Sequence, residues 1–143
     1  VGEDVIRVST GEVVSGSPGG DNKEYLVVGV SGYGQGVLVL YHRLKFFLAN
    51  GWMPAIVDHW DRNTANNTLA NLRPATKAQN AYNSGKTWGQ YPRGVHRCRD
   101  KFQARAMIAG VVHHLGTFDT PEEAGRVAAA FRKKHHGAFY APT

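Results

Sequence analysis

Asp58 and His59 stand side by side, a loop of amides follows them, and Asn80 opens a predicted helix further on. A carboxylate and an amide oxygen can share a hard divalent cation. An imidazole with an ordinary pKa of about 6.5 can take a proton from water at neutral pH. Those are the parts of a one-metal phosphodiesterase. Taken singly the residues are unremarkable in role, since Asp and Asn are common turn and cap residues and a half-buried His usually finds a partner. The chemical reading rests on their joint order and spacing.

Short elements must position this set. Residues 55–59 are too apolar for a loop and too short for a helix, which predicts a strand, with a turn over 60–67 and a returning strand over 69–72. Thr76 and Gln79 spell a capping box, so a helix starts at Lys77 and carries Asn80 and Asn83 on one face. Adjacent side chains diverge in a regular strand, so a bulge or strand end is expected at Asp58-His59. Upstream, β-branched or aromatic runs at 5–8, 12–14, 25–30 and 36–41 alternate with glycine-rich turns, which predicts a small antiparallel sheet. Residues 42–50 then read as a short amphipathic helix with Leu44, Phe47 and Leu48 on its apolar side and Gly51 as its C-terminal stop.

The pattern restarts after residues 84–90, a segment without periodicity that reads as a linker, with Trp88 packing on a neighbour. Strands are predicted over 94–99, 101–108 and 111–118, joined by Arg99-Asp100 and Ala109-Gly110. In the middle strand Phe102, Ala104, Ala106 and Ile108 share one face, and Gln103, Arg105 and Met107 the other. Thr120, Pro121 and Glu123 start a helix whose stripe is Ala124, Val127, Ala128 and Phe131, and Arg132, Lys133, Lys134 and Gly137 give it a cationic end and a stop. The expected fold class is α+β: a small N-terminal antiparallel sheet with a strand-strand-helix core, then a three-stranded antiparallel sheet packed on one helix.

Charge divides the chain in the same way. Residues 1–85 hold seven Lys/Arg and seven Asp/Glu, whereas 86–143 hold ten against four, so the net charge of +6 lies in the second part. Such a basic half is the footprint of a phosphate-rich partner, with an anionic membrane surface as the competitor. No apolar run approaches the roughly 18 residues a transmembrane helix needs and no signal-peptide pattern opens the chain, so a soluble intracellular protein is expected. The first residue is not Met, which points to a processed or trimmed chain. A lone cysteine, Cys98, excludes an internal disulfide and a four-Cys zinc site. The pairs His113-His114 and His135-His136 lack partner spacing for a metal, and no zinc is expected.

The order Asp58-His59, Asn71, Asn80, approached through Tyr41-His42-Arg43-Leu44 and followed through Asn71-Leu72-Arg73, resembles the HNH nuclease family with its ββα-metal fold. The resemblance covers about residues 1–84. It implies that Asp58 and Asn80 bind one Mg²⁺ or Mn²⁺, that His59 activates the attacking water, and that Asn71 braces the hairpin loop. His42, Arg43, Arg73 and Asn83 are expected in support. This chain has Arg62 where many relatives have Gly in the turn, and Thr68 where many have a basic residue.

Pro92-Arg93-Gly94-Val95, Lys101-Phe102, the stretch His114 to Phe118 and Pro121-Glu122-Glu123-Ala124 look like the plant ethylene-response-factor (Apetala-type) DNA-binding domain, over about residues 89–140. That resemblance implies that Arg93, His96, Gln103, Arg105 and His114 face DNA. Arg97, Arg99 and Lys101 are expected on phosphates. His114 stands where the family has a large aromatic residue.

Together these readings give a nuclease domain at 1–84, a linker at 85–92 and a DNA-binding domain at 93–143. The expected function is a divalent-metal-dependent endonuclease acting on double-stranded DNA, of the kind found in phages and mobile elements, including homing endonucleases. A monomer that nicks is the simpler expectation, although a dimer could cut both strands. The alternatives are a non-enzymatic, sequence-specific DNA-binding regulator on a degenerate nuclease fold, and an RNA-processing enzyme.

Overall fold

The computed structural model describes residues 4–7, 9–19, 24–32, 35–85 and 89–141. It is an α+β fold that divides into two compact units, Val1–Ala75 and Thr76–Thr143. The expected linker at 85–92 lies inside the second unit, and Trp88, with its expected packing, lies outside the described residues.

The first unit opens with a turn in which the amide of Val14 donates to Val5 O at 2.7 Å and that of Gly11 to Arg7 O at 2.8 Å. The two strands expected at 5–8 and 12–14 reduce here to a single bridge between Ile6 and Val13, Val8 being outside the described residues. Strands β1 (Ser17–Gly19), β2 (Tyr25–Gly32) and β3 (Gln35–Leu40) form an antiparallel sheet in that order. β3 passes directly into α1 (Tyr41–Asn50). Gly51 ends α1 in the left-handed region at φ 73°, donating its amide to Phe47 O at 2.8 Å.

The buried side of α1 is not the one the apolar pattern predicts. His42, Lys45 and Phe46 are buried, whereas Phe47 and Leu48 are exposed. Spacing of three and four puts residues 42, 45 and 46 on one stripe, and Phe46 is the one that meets Val57 and Leu72 in the core of this unit. Trp52 packs edge-on against Phe46 with ring centroids 5.6 Å apart.

Strand β4 (Ile56–His59) pairs antiparallel with β5 (Leu72–Ala75), matching Val57 to Pro74, Asp58 to Arg73 and His59 to Leu72. The return strand thus starts later than its sequence pattern predicts, because Leu69–Asn71 curl into a 3-10 turn closed by the Asn71 amide on Thr68 O. Pro74 is tolerated because each strand of a two-stranded sheet keeps an open edge that needs no donor.

In the second unit α2 (Lys77–Asn83) begins with both halves of its capping box: Thr76 Oγ1 accepts from the Gln79 amide, and Gln79 Oε1 from the Thr76 amide. β6 (Val95–Cys98), β7 (Lys101–Ile108) and β8 (Val111–Phe118) form an antiparallel sheet in chain order. α3 (Pro121–His136) starts where the Thr120 hydroxyl accepts from the Glu123 amide, and packs on that sheet. Val95 and Ala104 of the sheet meet Ala124 and Ala128 of the helix, rimmed by Tyr91, Phe102, Leu115 and Phe118. Alanines on both surfaces let helix and sheet approach closely. The β7–β8 register shifts between Ala104 and Arg105, and Leu115 is the extra residue opposite that step, packed on the core. Among the described residues no helix is long and apolar enough to cross a membrane.

Gly94 sits at φ +88°, where a Cβ would overlap the carbonyl oxygen of Arg105 and press on Ala128. Gly94→Ala is expected to cost about 3 kcal/mol, combining the left-handed penalty with overpacking. A lower denaturant midpoint for the second unit checks this.

Candidate functional site

Alternation along β4 sends its two chemical residues to opposite faces. Asp58 and its cross-strand neighbour Arg73 share one, and Arg73 Nε donates to Asp58 Oδ2 at 2.9 Å, with the guanidinium 5.8 Å from the Trp60 ring. His59 and Leu72 take the other. There the His59 ring lies 4.9 Å from that of His42 and 6.3 Å from that of Tyr25. The pairing from Ile56 to His59 is regular, and His59 is the last residue of the strand, so a strand end rather than a bulge stands at this position. Asp58 and His59 are both buried.

The loop beyond His59 is tied by asparagines. The Asn71 side chain accepts from the Asp61 amide at 3.0 Å and donates to Asp61 Oδ1 and Asn66 O, each at 2.8 Å, while its carbonyl accepts from the Trp60 amide. Asn66 Nδ2 donates to Asp61 Oδ2 at 2.7 Å. Burial alone would raise Asp61, but hydrogen bonds from Asn66, the Asn63 amide and Asn71, with the nearby His59, hold its carboxyl below the usual range. Arg62 occupies the left-handed region at φ 67°, which is the conformation a glycine adopts freely.

His59 Nε2 lies 2.9 Å from Asn67 Oδ1 in a buried contact. In the neutral ring an amide oxygen at Nε2 selects the tautomer protonated there, which makes Nδ1 the basic nitrogen. His42, beside it, is held down to about 4 by burial first, then by His59 and Arg43. Arg43 donates to the carbonyls of Ala55 and Pro54 at 3.1 and 3.3 Å, which ties α1 to the entry of β4. Asp58, His59, Asn71, His42, Arg43 and Arg73 belong to the first unit, and Asn80, exposed on α2, and Asn83, buried on it, to the second.

The donor chemistry suits a hard cation, since a carboxylate and an amide both present oxygen ligands. Among the described residues no three His, Cys, Asp or Glu side chains converge into a metal-holding group. An Asp-Asn pair therefore depends on amide, water and substrate oxygens to complete a coordination sphere.

On the C-terminal sheet, register aligns His96 with Gln103 and Gln103 with Thr117, and Arg105 with His114, so these side chains share the face away from α3. Arg105 Nε donates to Gln103 Oε1 at 2.8 Å. Arg97, Arg99 and Lys101 cluster at the β6–β7 turn, where Arg97 donates to Arg99 O and Lys101 pairs with Asp119 at 2.9 Å. Arg93 is placed elsewhere, its guanidinium donating to the Ala81 and Ser84 carbonyls at the end of α2. Sequence reading passed over Asn67 and Asp61, and it assigned Arg132 to the cationic end of its helix, whereas the side chain is buried. The signal for Arg132 was present in its spacing of four from Ala128 and eight from Ala124.

Residues 39–82, which hold Asp58, His59, Asn71 and Asn80, match a family model described as HNH endonuclease. Over 113 residues the chain is 30% identical to an uncharacterized HNH endonuclease of Acanthamoeba polyphaga mimivirus, an alignment covering 77% of this chain and 59% of that relative. The chain thus spans less than two thirds of the relative's length. No solved structure matches it. Both matches make the chain similar to HNH endonucleases, nucleases that generally depend on a divalent metal and act on nucleic acid.

Asn71→Ala removes three side-chain hydrogen bonds from a partly buried loop and is expected to lower the stability of the first unit by about 2–3 kcal/mol, measured by chemical unfolding. His42 gives a pH signature. Its ordinary pKa is 6.5 and its folded value about 4, so between those pH values the unfolded chain binds more protons. Stability of the first unit therefore falls as pH drops from 6.5 to 4, and His42→Phe flattens that slope in unfolding midpoints measured across the window.

Proposed function

We propose that the chain is a divalent-metal-dependent DNA endonuclease, with His59 as general base and Asp58 and Asn80 as ligands of one Mg²⁺ or Mn²⁺. The observation that carries this reading is the buried Asp58-His59 pair ending β4, inside the segment that matches HNH endonucleases. The Asn67 contact turns the basic Nδ1 of His59 toward the role of taking a proton from the attacking water. Asn71 keeps the loop beyond His59 in one conformation, which holds the imidazole in register. Arg73 orients the Asp58 carboxylate. Bound by these residues, the ion supplies charge stabilisation at the scissile phosphate and the leaving 3′ oxygen. The products are a 3′-hydroxyl and a 5′-phosphate.

The C-terminal unit serves as the duplex DNA reader, with His96, Arg105 and His114 toward base edges, Gln103 beside Arg105 on the same face, and Arg97, Arg99 and Lys101 toward phosphates. Support for this comes from the shared sheet face and from the positive charge concentrated in residues 86–143. Tethering raises the local concentration of the cutting unit beside bound DNA, so weak binding by each part suffices. A DNA-binding regulator is the second reading. It is favoured by the Asp58-Arg73 ion pair, in which the guanidinium balances the buried carboxylate without a metal ion.

Purified protein with Mg²⁺ or Mn²⁺ is expected to convert supercoiled plasmid to nicked or linear product, and chelation to stop it. His59→Ala should slow cleavage by about 10²–10⁴-fold, the usual worth of a general base, and leave DNA binding unchanged. Cleavage that persists in this variant removes His59 from the role. Silence on every DNA with every divalent ion selects the regulator.

A further inference from the structure

Within the second unit, residues of α2, the sheet and α3 line an open-mouthed cavity of about 440 Å³ that the cutting chemistry does not use. Arg93 and Arg132 give it a cationic wall, Tyr82, Met107 and Val112 an apolar one, and His136, whose pKa burial and the two arginines push down, a polar neutral edge. Among the described residues no Asp or Glu lines it. Arg132 is only 4% exposed, and a guanidinium does not shed its charge in a protein. Its Nε donates to Ala128 O at 3.3 Å and its Nη2 to Arg93 O at 3.4 Å. Nη1, among the described residues, has no hydrogen-bond partner. The Tyr140 ring, 5.9 Å from the guanidinium carbon, is a partial counterweight and not a counter-ion. A buried cation with a second guanidinium nearby and no carboxylate among the described residues of the wall is a costly arrangement that an entering anion relieves.

The rest of the cavity describes what that anion carries. A phosphate ion alone would leave most of 440 Å³ empty, a volume in the range of pockets that hold small organic ligands. Tyr82 and His136 stack face to face, 3.8 Å apart and 5° from parallel, which gives the cavity a flat aromatic border. The Tyr82 hydroxyl accepts from the Ala109 amide at 2.7 Å, and this holds the stack against the β7–β8 turn. His96 and Arg105, which belong to the open sheet face, also border the cavity.

We propose that this cavity binds the phosphate group of a nucleotide, with Arg132 Nη1 donating to a phosphate oxygen and the nucleoside resting against Met107 and Val112. The site is independent of whether the first unit cuts. The phosphate belongs either to a strand end or to an internal linkage.

The test titrates the full chain with thymidine, inorganic phosphate, thymidine 5′-monophosphate and the dinucleotide TpT, following the Arg132 side-chain N–H and the His136 ring by NMR. At least one of the two phosphate-bearing thymidine compounds should bind about tenfold or more tighter than thymidine, the worth of a charge-assisted hydrogen bond, and shift both signals. Preference for the monophosphate assigns a strand end, and equal or tighter binding of TpT an internal linkage. Arg132→Met should weaken binding about tenfold, and His136→Gln, which keeps a polar planar group, tests the same wall if the first variant does not fold. Thymidine binding as tightly as both of its phosphorylated forms overturns the proposal, as does phosphate that moves neither signal in the unaltered chain. Repeating the titration with His59→Ala separates this site from the nuclease reading, since binding should persist where cleavage is lost.

Discussion

Four cross-strand pairs between β4 and β5 set the chemical content of the first unit, because β4 is only four residues long and carries both Asp58 and His59. A slip of one residue would exchange their faces, moving His59 away from His42 and Asp58 away from Arg73. Two things oppose the slip. Val57 and Leu72 are locked into the core by Phe46, and the Asn71 carbonyl accepts the Trp60 amide just past the strand end. Asn71 thus acts twice, its main chain extending the register and its side chain closing the loop that the register leaves between the strands. A loop braced from its own hinge needs no glycine to stay in place, which is consistent with Arg62 holding a left-handed conformation there.

Much of this was legible in the chain because the signals were local. The Thr76-Gln79 capping box, the Gly51 stop, the Thr120-Pro121 start and the hairpin turns at Arg99-Asp100 and Ala109-Gly110 are each decided within four residues, and each is found where the sequence placed it. What failed was decided by packing. On α1, Phe47 and Leu48 were the better apolar candidates, yet the stripe that faces β4 is the one holding His42, Lys45 and Phe46. The return strand of the hairpin was misplaced for a related reason, since residues 69–71 gain more from the curled turn that aims Asn71 into the loop than from extension. The candidate site was legible as a set of residue types. Asn67 was invisible as a partner of His59, because an eight-residue separation across a loop leaves no periodic trace.

The second unit shows the converse. Its core is built from small residues, Ala104, Ala124 and Ala128, so helix and sheet lie close and little apolar area is available per residue. Close approach has a geometric cost as well, since Gly94 is required where its backbone meets the Arg105 carbonyl and Ala128. The stripe then continues past Ala128 to Arg132 and His136, both buried. A cationic helix end is normally a solvated device for the helix dipole. Here Lys133 and Lys134 fill that role, and the same run delivers Arg132 inward, so neighbours in sequence with the same charge serve different surroundings.

The open sheet face has a donor bias that follows from one contact. A guanidinium can only donate, so Gln103 must present Oε1 to Arg105 and turn its amide nitrogen away. Reading adenine by a bidentate Gln requires both the oxygen and the nitrogen, and the oxygen is already engaged. Arg105 keeps further N–H groups, and the Gln103 nitrogen adds donors beside them. As a DNA reader this face would favour base edges that only accept, above all the N7 and O6 of guanine, and Gln103 would serve to orient Arg105 rather than to read a base of its own.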